Sequence, residues 1–329
     1  MDNANVLPIS KTYEQIGLLR QSIEQQILGQ ENLVTKLLVA LLADGHLLVE
    51  GAPGLAKTKA VKALADAIEG NFHRVQFTPD LLPGDLTGTE VYRPADGSFS
   101  FQPGPIFNNL VLADEINRAP AKVQSALLEA MAERQVTIGK QTYQLPPLFL
   151  VMATQNPIEQ EGTYPLPEAQ LDRFLMYVKI AYPTENTELQ ILKLARQEAQ
   201  VKEVPNKLPH ISQQEIFAAR KEVANVHISE ALEQYIVDLI LATRNPQQYS
   251  STLPNQIRFG ASPRATIALD RCAKAHAWLH QRDYVAPQDI HAVAYDILRH
   301  RLILSFEAEA QGVSCDDVIG QILDLVAIP

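Results

Sequence analysis

An apolar segment that leads into a glycine-rich loop and a lysine constrains the fold of this 329-residue chain more than any other feature. Residues 46–50 have the composition of a buried β-strand, and the loop that follows reads Gly51-Ala52-Pro53-Gly54-Leu55-Ala56-Lys57-Thr58. Such a loop turns backbone N–H groups towards phosphate oxygens, while its lysine reaches the β- and γ-phosphates and its hydroxyl ligates Mg²⁺. Apolar residues then follow at helical spacing. The sequence therefore predicts a strand, a loop that binds a triphosphate with Mg²⁺, and a helix.

Ala56 occupies the position before the lysine, where loops of this kind usually have glycine. Alanine is the smallest substitute and is tolerated if the backbone φ angle is negative, so we expect a variant of the loop with negative φ at Ala56. The alternative is a chance Gly-Pro-Gly turn before a helix.

Two further apolar runs end in polar residues. Residues 109–115 form a continuous apolar run that ends in Asp114 and Glu115, which is typical of a central parallel strand whose carboxyl end meets a ligand. Asp114 would bind Mg²⁺ directly or through water, and Glu115 would polarise the attacking water. Residues 149–157 are similar, and Asn156 is a candidate for orienting that water or the γ-phosphate. A plain turn role is the alternative for these polar residues.

Five apolar runs of strand character alternate with helical segments, which predicts an α/β core over residues 1–185. The runs are residues 46–50, 74–77, 109–115, 149–157 and 175–180. Two segments, about 90–104 and 135–145, have the alternation and turn residues of β-hairpins, with Asp96-Gly97 and Gly139-Lys140 at the turns. Beyond residue 185 the pattern is helical, with serine caps at Ser212, Ser229 and Ser314. Residues 186–329 are therefore expected to form a small all-α domain.

Composition limits the class of partner. The formal net charge is −10, whereas sequence-independent nucleic-acid binding depends on lysine and arginine, so we expect no nucleic-acid partner. No apolar stretch approaches the roughly 18 to 20 residues of a membrane span, and the first residues lack a basic region followed by an apolar one. A cytoplasmic protein without a membrane span is expected. Cys272 and Cys315 are expected to be buried free thiols.

Taken in order, five motifs resemble those of the AAA+ ATPases, and specifically the MoxR family, in the branch that also contains magnesium-chelatase ATPase subunits and MCM helicases. They are the loop at residues 51–58, Asp114-Glu115-Ile116-Asn117-Arg118-Ala119, Ala153-Thr154-Gln155-Asn156-Pro157, Leu166-Pro167-Glu168-Ala169-Gln170-Leu171-Asp172-Arg173-Phe174, and Gly260-Ala261-Ser262-Pro263-Arg264-Ala265. The resemblance covers nearly the whole chain, and Ala56 before Lys57 looks like the MoxR form of the loop. It implies a P-loop NTPase fold, an αβα core with a five-stranded parallel sheet followed by a small all-α helical lid.

The resemblance also assigns roles to single residues. It implies that Asn156 is the sensor-1 residue and that Arg264 is the sensor-2 arginine, which contacts the γ-phosphate within its own subunit. It implies that Arg173 is an arginine finger given to a neighbouring subunit's nucleotide, and that Leu28 and Gly29 contribute to the nucleotide site. On the residues alone, a surface ion pair with Asp172 or a nearby glutamate is the alternative for Arg173.

The function implied by the resemblance is ATP hydrolysis by a homo-oligomer, a hexameric ring, that remodels or matures client protein complexes or inserts metals into them. Proteins with von Willebrand factor A domains are implied as partners, and the two hairpins match inserts that such rings point towards a pore or a client. A DNA translocase or helicase is one alternative, although Arg93 and Lys140 are the only basic residues of the hairpins. A nucleotide-binding switch that does not hydrolyse ATP is another, and the presence of Glu115 and Arg173 counts against it.

Overall fold

The structure is a computed structural model that describes residues 10–52, 54–95, 97–157, 162–200 and 210–329. Pro53 of the predicted phosphate loop and Asp96 of the predicted hairpin turn lie outside the described residues. The β-strands are β1 (Leu47–Glu50), β2 (Phe72–Gln76), β3 (Gly88–Arg93), β4 (Ser98–Pro103), β5 (Leu110–Asp114), β6 (Gln135–Ile138), β7 (Gln141–Gln144), β8 (Leu150–Gln155), β9 (Met176–Lys179), β10 (Ile257–Phe259) and β11 (Ile303–Leu304). The α-helices are α1 (Lys11–Gln26), α2 (Glu31–Leu42), α3 (Lys57–Ala67), α4 (Pro83–Thr87), α5 (Ala121–Glu133), α6 (Glu168–Leu171), α7 (Glu185–Gln200), α8 (Gln213–Ala224), α9 (Glu230–Arg244), α10 (Leu253–Gln256), α11 (Pro263–Leu279), α12 (Pro287–Leu298), α13 (Phe306–Ala310) and α14 (Cys315–Leu325).

A five-stranded parallel sheet in the order β2-β5-β8-β1-β9 forms the centre of the core. Because side chains alternate along a strand, the two faces of β1 contribute to different clusters. Leu47 and Val49 pack with apolar residues of α2 and α3, and Leu48 packs with those of α5. Helices thus cover both faces of the sheet, as a parallel sheet requires. The predicted αβα core with its five-stranded parallel sheet is confirmed.

The two predicted hairpins form and lie against each other. β3 pairs with β4 and β6 pairs with β7, both antiparallel. The rings of Phe101 on β4 and Tyr143 on β7 stack with their centroids 3.9 Å apart. At the far end of the first hairpin, Tyr92 and Phe99 are 54% and 66% exposed, with ring centroids 5.2 Å apart. The first hairpin therefore presents an aromatic pair to solvent near its turn, while Phe101, farther from the turn, packs on the second hairpin.

From residue 210 onwards the chain is mostly helical, with the predicted serine caps. The side chains of Ser212, Ser229 and Ser314 each accept a backbone N–H at the start of α8, α9 and α14. Of the lid helices, α8 packs on α1 and α2 of the core and α11 packs on α2, and the Lys36 ammonium lies 2.9 Å from the Asp296 carboxylate at this seam. Within the described residues, no helix combines the length and the hydropathy needed to cross a membrane. The C-terminal helical lid is confirmed. Both cysteines are free thiols, and Cys272 is buried as expected, whereas Cys315 is only partly buried.

His46 ties the beginning of β1 to the rest of the core. Its Nδ1 accepts a hydrogen bond from the Val151 backbone N–H (3.0 Å), and its Nε2 lies 3.3 Å from the Met131 carbonyl oxygen. The ring is buried, and this burial lowers its pKa from 6.5 to about 3. His46 is therefore neutral in the folded chain at all but strongly acidic pH.

We expect the free energy of unfolding to fall as the pH falls from about 6.5 towards 3, because in that window the unfolded chain binds a proton at His46 and the folded chain does not. The contribution is up to ~1.4 kcal/mol per pH unit, or about 2 kcal/mol at pH 5. Thermal unfolding of the chain and of His46→Asn between pH 8 and pH 5 measures it. The variant should show a shallower slope, although not a flat one, because burial also lowers the pKa of His300. His73→Asn, at an exposed position of β2, is the matched control, and an equal slope in all three proteins would contradict the prediction.

Candidate nucleotide-binding site

The predicted phosphate loop follows the carboxyl end of β1 and leads into α3, of which Lys57 is the first residue. The Lys57 ammonium donates a hydrogen bond to the Gly51 carbonyl at 2.6 Å, so the side chain folds back across the loop. Burial lowers the pKa of this ammonium. Nearby carboxylates oppose that shift, in the order Asp114, Glu115 and Glu50. The loop thus places one lysine and the amino end of a helix beside the carboxylates that end β5 and β1, an arrangement that suits a phosphate-bound metal ion.

The backbone of Ala56 corrects one expectation. Its φ is +56° and its ψ is 17°, in the left-handed region, so the expectation of a negative φ is wrong. The residue is the N-cap of α3, where the chain must turn sharply from the loop into the helix. A left-handed conformation costs a residue with a Cβ roughly 1–2 kcal/mol. The loop therefore keeps the conformation that glycine would favour and carries alanine at some cost.

Replacing Ala56 by glycine should leave ATP binding intact and change the free energy of unfolding by less than about 1 kcal/mol, because relief of the left-handed strain offsets the greater entropy of unfolded glycine. Ala56→Val should lower stability by about 1–2 kcal/mol and weaken binding, because a β-branched residue fits positive φ poorly. Thermal unfolding and titration with a fluorescent ATP analogue measure both effects. Ala218→Val, at an exposed site of α8, is the matched control, and equal losses at the two sites would show that the conformation of Ala56 is not strained.

Asp114 and Glu115 lie at the carboxyl end of β5, each with partners on neighbouring strands. The buried Asp114 carboxylate accepts a hydrogen bond from the Thr154 hydroxyl at 2.6 Å, and its other oxygen accepts from the Arg74 guanidinium at 2.6 and 3.0 Å. Glu115 has a φ of +57°, and its Oε2 accepts from Gln76 Nε2 at 2.7 Å. The Arg118 guanidinium donates to the same oxygen at 3.0 Å. Both carboxylates are therefore oriented by specific donors.

The residues predicted to hold Mg²⁺ fit that ion chemically. Thr58 and Asp114 offer a hydroxyl and a carboxylate, and Mg²⁺ prefers such oxygen ligands together with phosphate oxygens and water. Arg74 supplies the positive charge beside Asp114 in this structure. Contact of the carboxylate with a metal ion through water is compatible with that ion pair, whereas direct contact at the same oxygen would require Arg74 to move.

Asn156 follows β8 directly and is buried, and its neighbour Gln155 contacts Glu50 and Tyr177, two residues that the sequence did not single out. The neighbouring Gln155 donates to Glu50 Oε2 at 2.9 Å and to the Tyr177 hydroxyl at 2.7 Å, and that hydroxyl donates to Glu50. Burial, with the carboxylate beside it, raises the pKa of Tyr177. Polar side chains of β1, β8 and β9 thus form one hydrogen-bonded row. This row lies at the edge of the sheet where the carboxyl ends of the parallel strands meet, which is also the edge that carries the phosphate loop. The pairing of Glu50 with Gln155 follows from the register of β1 and β8.

A cavity of about 200 Å³ opens beside the phosphate loop. Its lining is mainly apolar and comes from the turn after α1, the loop and α7, with Ile27, Leu28, Leu55 and Ile191 among the side chains. Gly29 shapes the turn next to it, because its φ is +75° and a Cβ there would lie 2.2 Å from Thr187 Cγ2. Leu28 therefore lines the cavity, while Gly29 lets the turn approach α7. The size and the lining suit a planar base.

Arg173 and Arg264 lie together at the other edge of the sheet, where the amino ends of the parallel strands lie. Both line a cavity of about 330 Å³ that Gly45 and His46 also line, just before β1 begins. The Arg173 guanidinium donates to the Leu128 carbonyl at 2.7 Å. At about 3.3 Å per residue, the segment from His46 to Gly51 spans roughly 16 Å. The two arginines are therefore close to each other and distant from the phosphate loop of their own chain.

The expectation that Arg264 contacts the γ-phosphate of its own subunit stays a prediction, and this position does not favour it. The residue is the second of α11, and its guanidinium lies 3.8 Å from the Asp172 carboxylate. The sequence correctly indicates a helix start at this position. It could not indicate the edge of the sheet at which that helix start packs, because that depends on how the lid docks on the core.

The fold defines a class of protein, together with the loop at one end of the parallel strands and the two arginines at the other. This class is the P-loop ATPases with a helical lid. The model of the ATPase family associated with various cellular activities (AAA) matches residues 46–176, and the AAA lid domain model matches residues 254–322. The chain is 46% identical to the chaperone MoxR1 of Mycobacterium tuberculosis, over 93% of this chain and 80% of that protein. It is 44% identical to the uncharacterised protein YeaC of Bacillus subtilis, over 95% of both. A solved structure of a proposed ATPase from Cytophaga hutchinsonii matches with a TM-score of 0.87 and 48% identity, over 97% and 96% of the two chains. The chain belongs to the MoxR family of AAA+ ATPases.

Proposed function

We propose that this chain hydrolyses ATP within a ring of identical subunits and uses the cycle to remodel client proteins. The observation that carries the proposal is the separation of two groups of residues within one chain. The phosphate loop with Asp114 and Glu115 lies at one edge of the sheet, and Arg173 with Arg264 lies at the other. A triphosphate at the loop therefore meets this pair of arginines when a second copy of the chain supplies them.

Within one subunit, we assign the binding of phosphate charge to Lys57 and to the backbone of residues 51–58. Thr58 and Asp114 hold Mg²⁺, which neutralises charge on the phosphates when it is bound. Glu115 accepts the proton of the water that attacks the γ-phosphate, and Asn156 orients that water. The products are ADP and inorganic phosphate. Gln76 and Arg118 support this assignment because they hold Glu115 through one carboxylate oxygen.

The base of the nucleotide is assigned to the cavity between Leu28 and α7, which adjoins the phosphate loop. Gly29 acts there by allowing the tight turn against Thr187. This placement puts the base near the point at which the core gives way to the lid. We place the division between the core (residues 1–185) and the lid (residues 186–329) at the beginning of α7.

Across the interface, we assign Arg173 and Arg264 to the γ-phosphate of the neighbouring subunit. Guanidinium groups placed around a transferring phosphoryl group stabilise the charge that develops on it. In a closed ring, the phosphate loop of every subunit faces the arginines of the next copy. We propose six subunits on the resemblance to AAA+ rings. The alternative role of Arg173, a surface ion pair with Asp172 or a nearby glutamate, finds less support, because its guanidinium donates a hydrogen bond to the Leu128 carbonyl.

Client remodelling is proposed from the relative named as a chaperone and from the two hairpins. The exposed Tyr92 and Phe99 suit contact with an apolar segment of a client protein. A partner with a von Willebrand factor A domain, and maturation or metal insertion as the outcome for the client, belong to the same proposal. A DNA partner is less well supported, because Arg93 donates to Ser100 within the hairpin and the chain carries a net charge of −10.

The proposal is tested by phosphate release and by capture of a client. The ATPase rate per subunit should rise with protein concentration as rings assemble, and Glu115→Gln loaded with ATP should retain client proteins that Lys57→Ala does not. A rate per subunit that is independent of concentration, from a species that stays monomeric in sedimentation, would contradict the ring. Equal retention by the two variants would contradict ATP-dependent remodelling.

A further inference from the structure

Asp172, the residue before Arg173, receives donors from two separate parts of the lid. The Arg301 Nε donates to its Oδ1 at 2.8 Å. The Ser262 hydroxyl lies 3.0 and 2.8 Å from its two oxygens. The Arg264 guanidinium is 3.8 Å away. One carboxylate of the core therefore meets the loop after α12 and the beginning of α11 at the same point.

Arg301 is buried at this junction, with 2% of its side chain exposed. Its two Nη atoms donate to the carbonyls of Phe174 (2.7 Å), Leu175 (3.2 Å) and Ile297 (2.6 Å). Nη2 also lies 3.3 Å from the Asp172 carbonyl. The guanidinium thus fixes the backbone on both sides of Arg173, as well as the carboxylate that precedes it.

Ser262 makes the corresponding link on the lid. As the N-cap of α11, its hydroxyl oxygen accepts the Arg264 backbone N–H at 3.2 Å. The same hydroxyl donates its proton to Asp172. The beginning of the helix that carries Arg264 is therefore held directly to the carboxylate next to Arg173.

We propose that Asp172, Ser262 and Arg301 are positioning residues that hold Arg173 and Arg264 as one rigid pair, presented together to the nucleotide of a neighbouring subunit. The inference rests on the proposed function, in which both arginines act across the interface. The Asp172 carboxylate also offsets the positive charge of Arg264 and Arg301, which lets three guanidinium groups gather in one small region. A pair held in this way meets the phosphates without first being ordered, and a displacement of about 1 Å at such a site can cost about 100-fold in rate.

The experiment compares Asp172→Asn and Ser262→Ala with the native chain. Asp172→Asn keeps the shape of the side chain and removes its charge, and Ser262→Ala removes the hydroxyl link. Both should leave ATP affinity within about twofold, because the phosphate loop lies at the other edge of the sheet, and both should lower kcat, by about 100-fold for Asp172→Asn. Ser262→Thr, which restores the hydroxyl, should recover most of the rate. Asp270→Asn is the matched control, because Asp270 also lies on α11 but pairs with Lys274 within that helix.

Mixing two inactive variants distinguishes a loss of arginine positioning from a general loss of structure. Asp172→Asn has an intact loop and Lys57→Ala has an intact arginine pair, so mixed rings should regain ATPase activity above the sum of the two. Native kcat in Asp172→Asn or in Ser262→Ala would overturn the inference, and so would a parallel loss of ATP affinity and kcat without recovery on mixing. If Asp172→Asn does not assemble, Ser262→Ala decides by the same criteria. A failure of Arg173→Ala to be rescued by Lys57→Ala would instead refute the proposed function itself.

Discussion

Lys57→Ala is expected to bind ATP far more weakly than the native chain, whereas Glu115→Gln is expected to bind ATP with near-native affinity and to lose turnover. The lysine stabilises phosphate charge in the bound ground state through charge-assisted hydrogen bonds worth about 1.5–3 kcal/mol each, so its removal should weaken binding by about 100-fold. The glutamate acts on the attacking water, and removing a general base typically costs about 10²–10⁴ in kcat. The two substitutions should therefore separate binding from chemistry.

Calorimetric titration with ATP and steady-state phosphate release measure the two effects. Lys62→Ala, at an exposed position of α3, and Glu133→Gln, at the exposed end of α5, are matched controls that should behave like the native chain. Unchanged ATP affinity in Lys57→Ala would refute the phosphate-loop assignment. Full turnover in Glu115→Gln would refute the assignment of the base, and the search would then turn to other carboxylates near the loop, such as Glu50.

Arg173→Ala should lose about 10³–10⁵ in kcat with little change in ATP affinity, and a mixture with Lys57→Ala should regain part of the activity. In such a mixture some interfaces bring the intact loop of one variant to the intact arginine of the other. Arg264→Ala should behave in the same way, because the structure places it beside Arg173 and away from its own loop. An arginine that acted within its own subunit would give no recovery, since both variants would then be defective at their own loops.

Sedimentation and ATPase measurements across mixing ratios test this prediction. Arg20→Ala, which removes an arginine paired with Glu24 on the surface of α1, is the matched control and should hydrolyse ATP normally. Recovery should be greatest near equal proportions, where mixed interfaces are most numerous. Activity that equals the sum of the parts, although co-assembly is observed, would mean that Arg173 is a structural residue.

The strands, the loop between β1 and α3 and the helix caps could be predicted because their signals are local. An apolar run of strand length before Gly51 and serine caps before helical periods each depend on a few neighbouring residues. The apolar run that ends in Asp114 and Glu115 marked the two carboxylates, and the order of five motifs along the chain then indicated the family. The sequence by itself thus determined which elements form and which residues were candidates for chemistry.

Only the tertiary structure decided how those candidates are grouped. Arg74 and Gln76 meet Asp114 and Glu115 through the register of β2 and β5, and no local pattern encodes the register of two strands that a long crossover connects. The positive φ of Ala56 is imposed by the turn between β1 and α3, against the local preference of alanine. Arg264 faces Arg173 because the lid docks through buried contacts such as that between Arg301 and Asp172, which lie 129 positions apart in the chain. Long-range packing, which sequence periodicity does not record, is therefore the physical reason that the arginines lie at the edge opposite the phosphate loop.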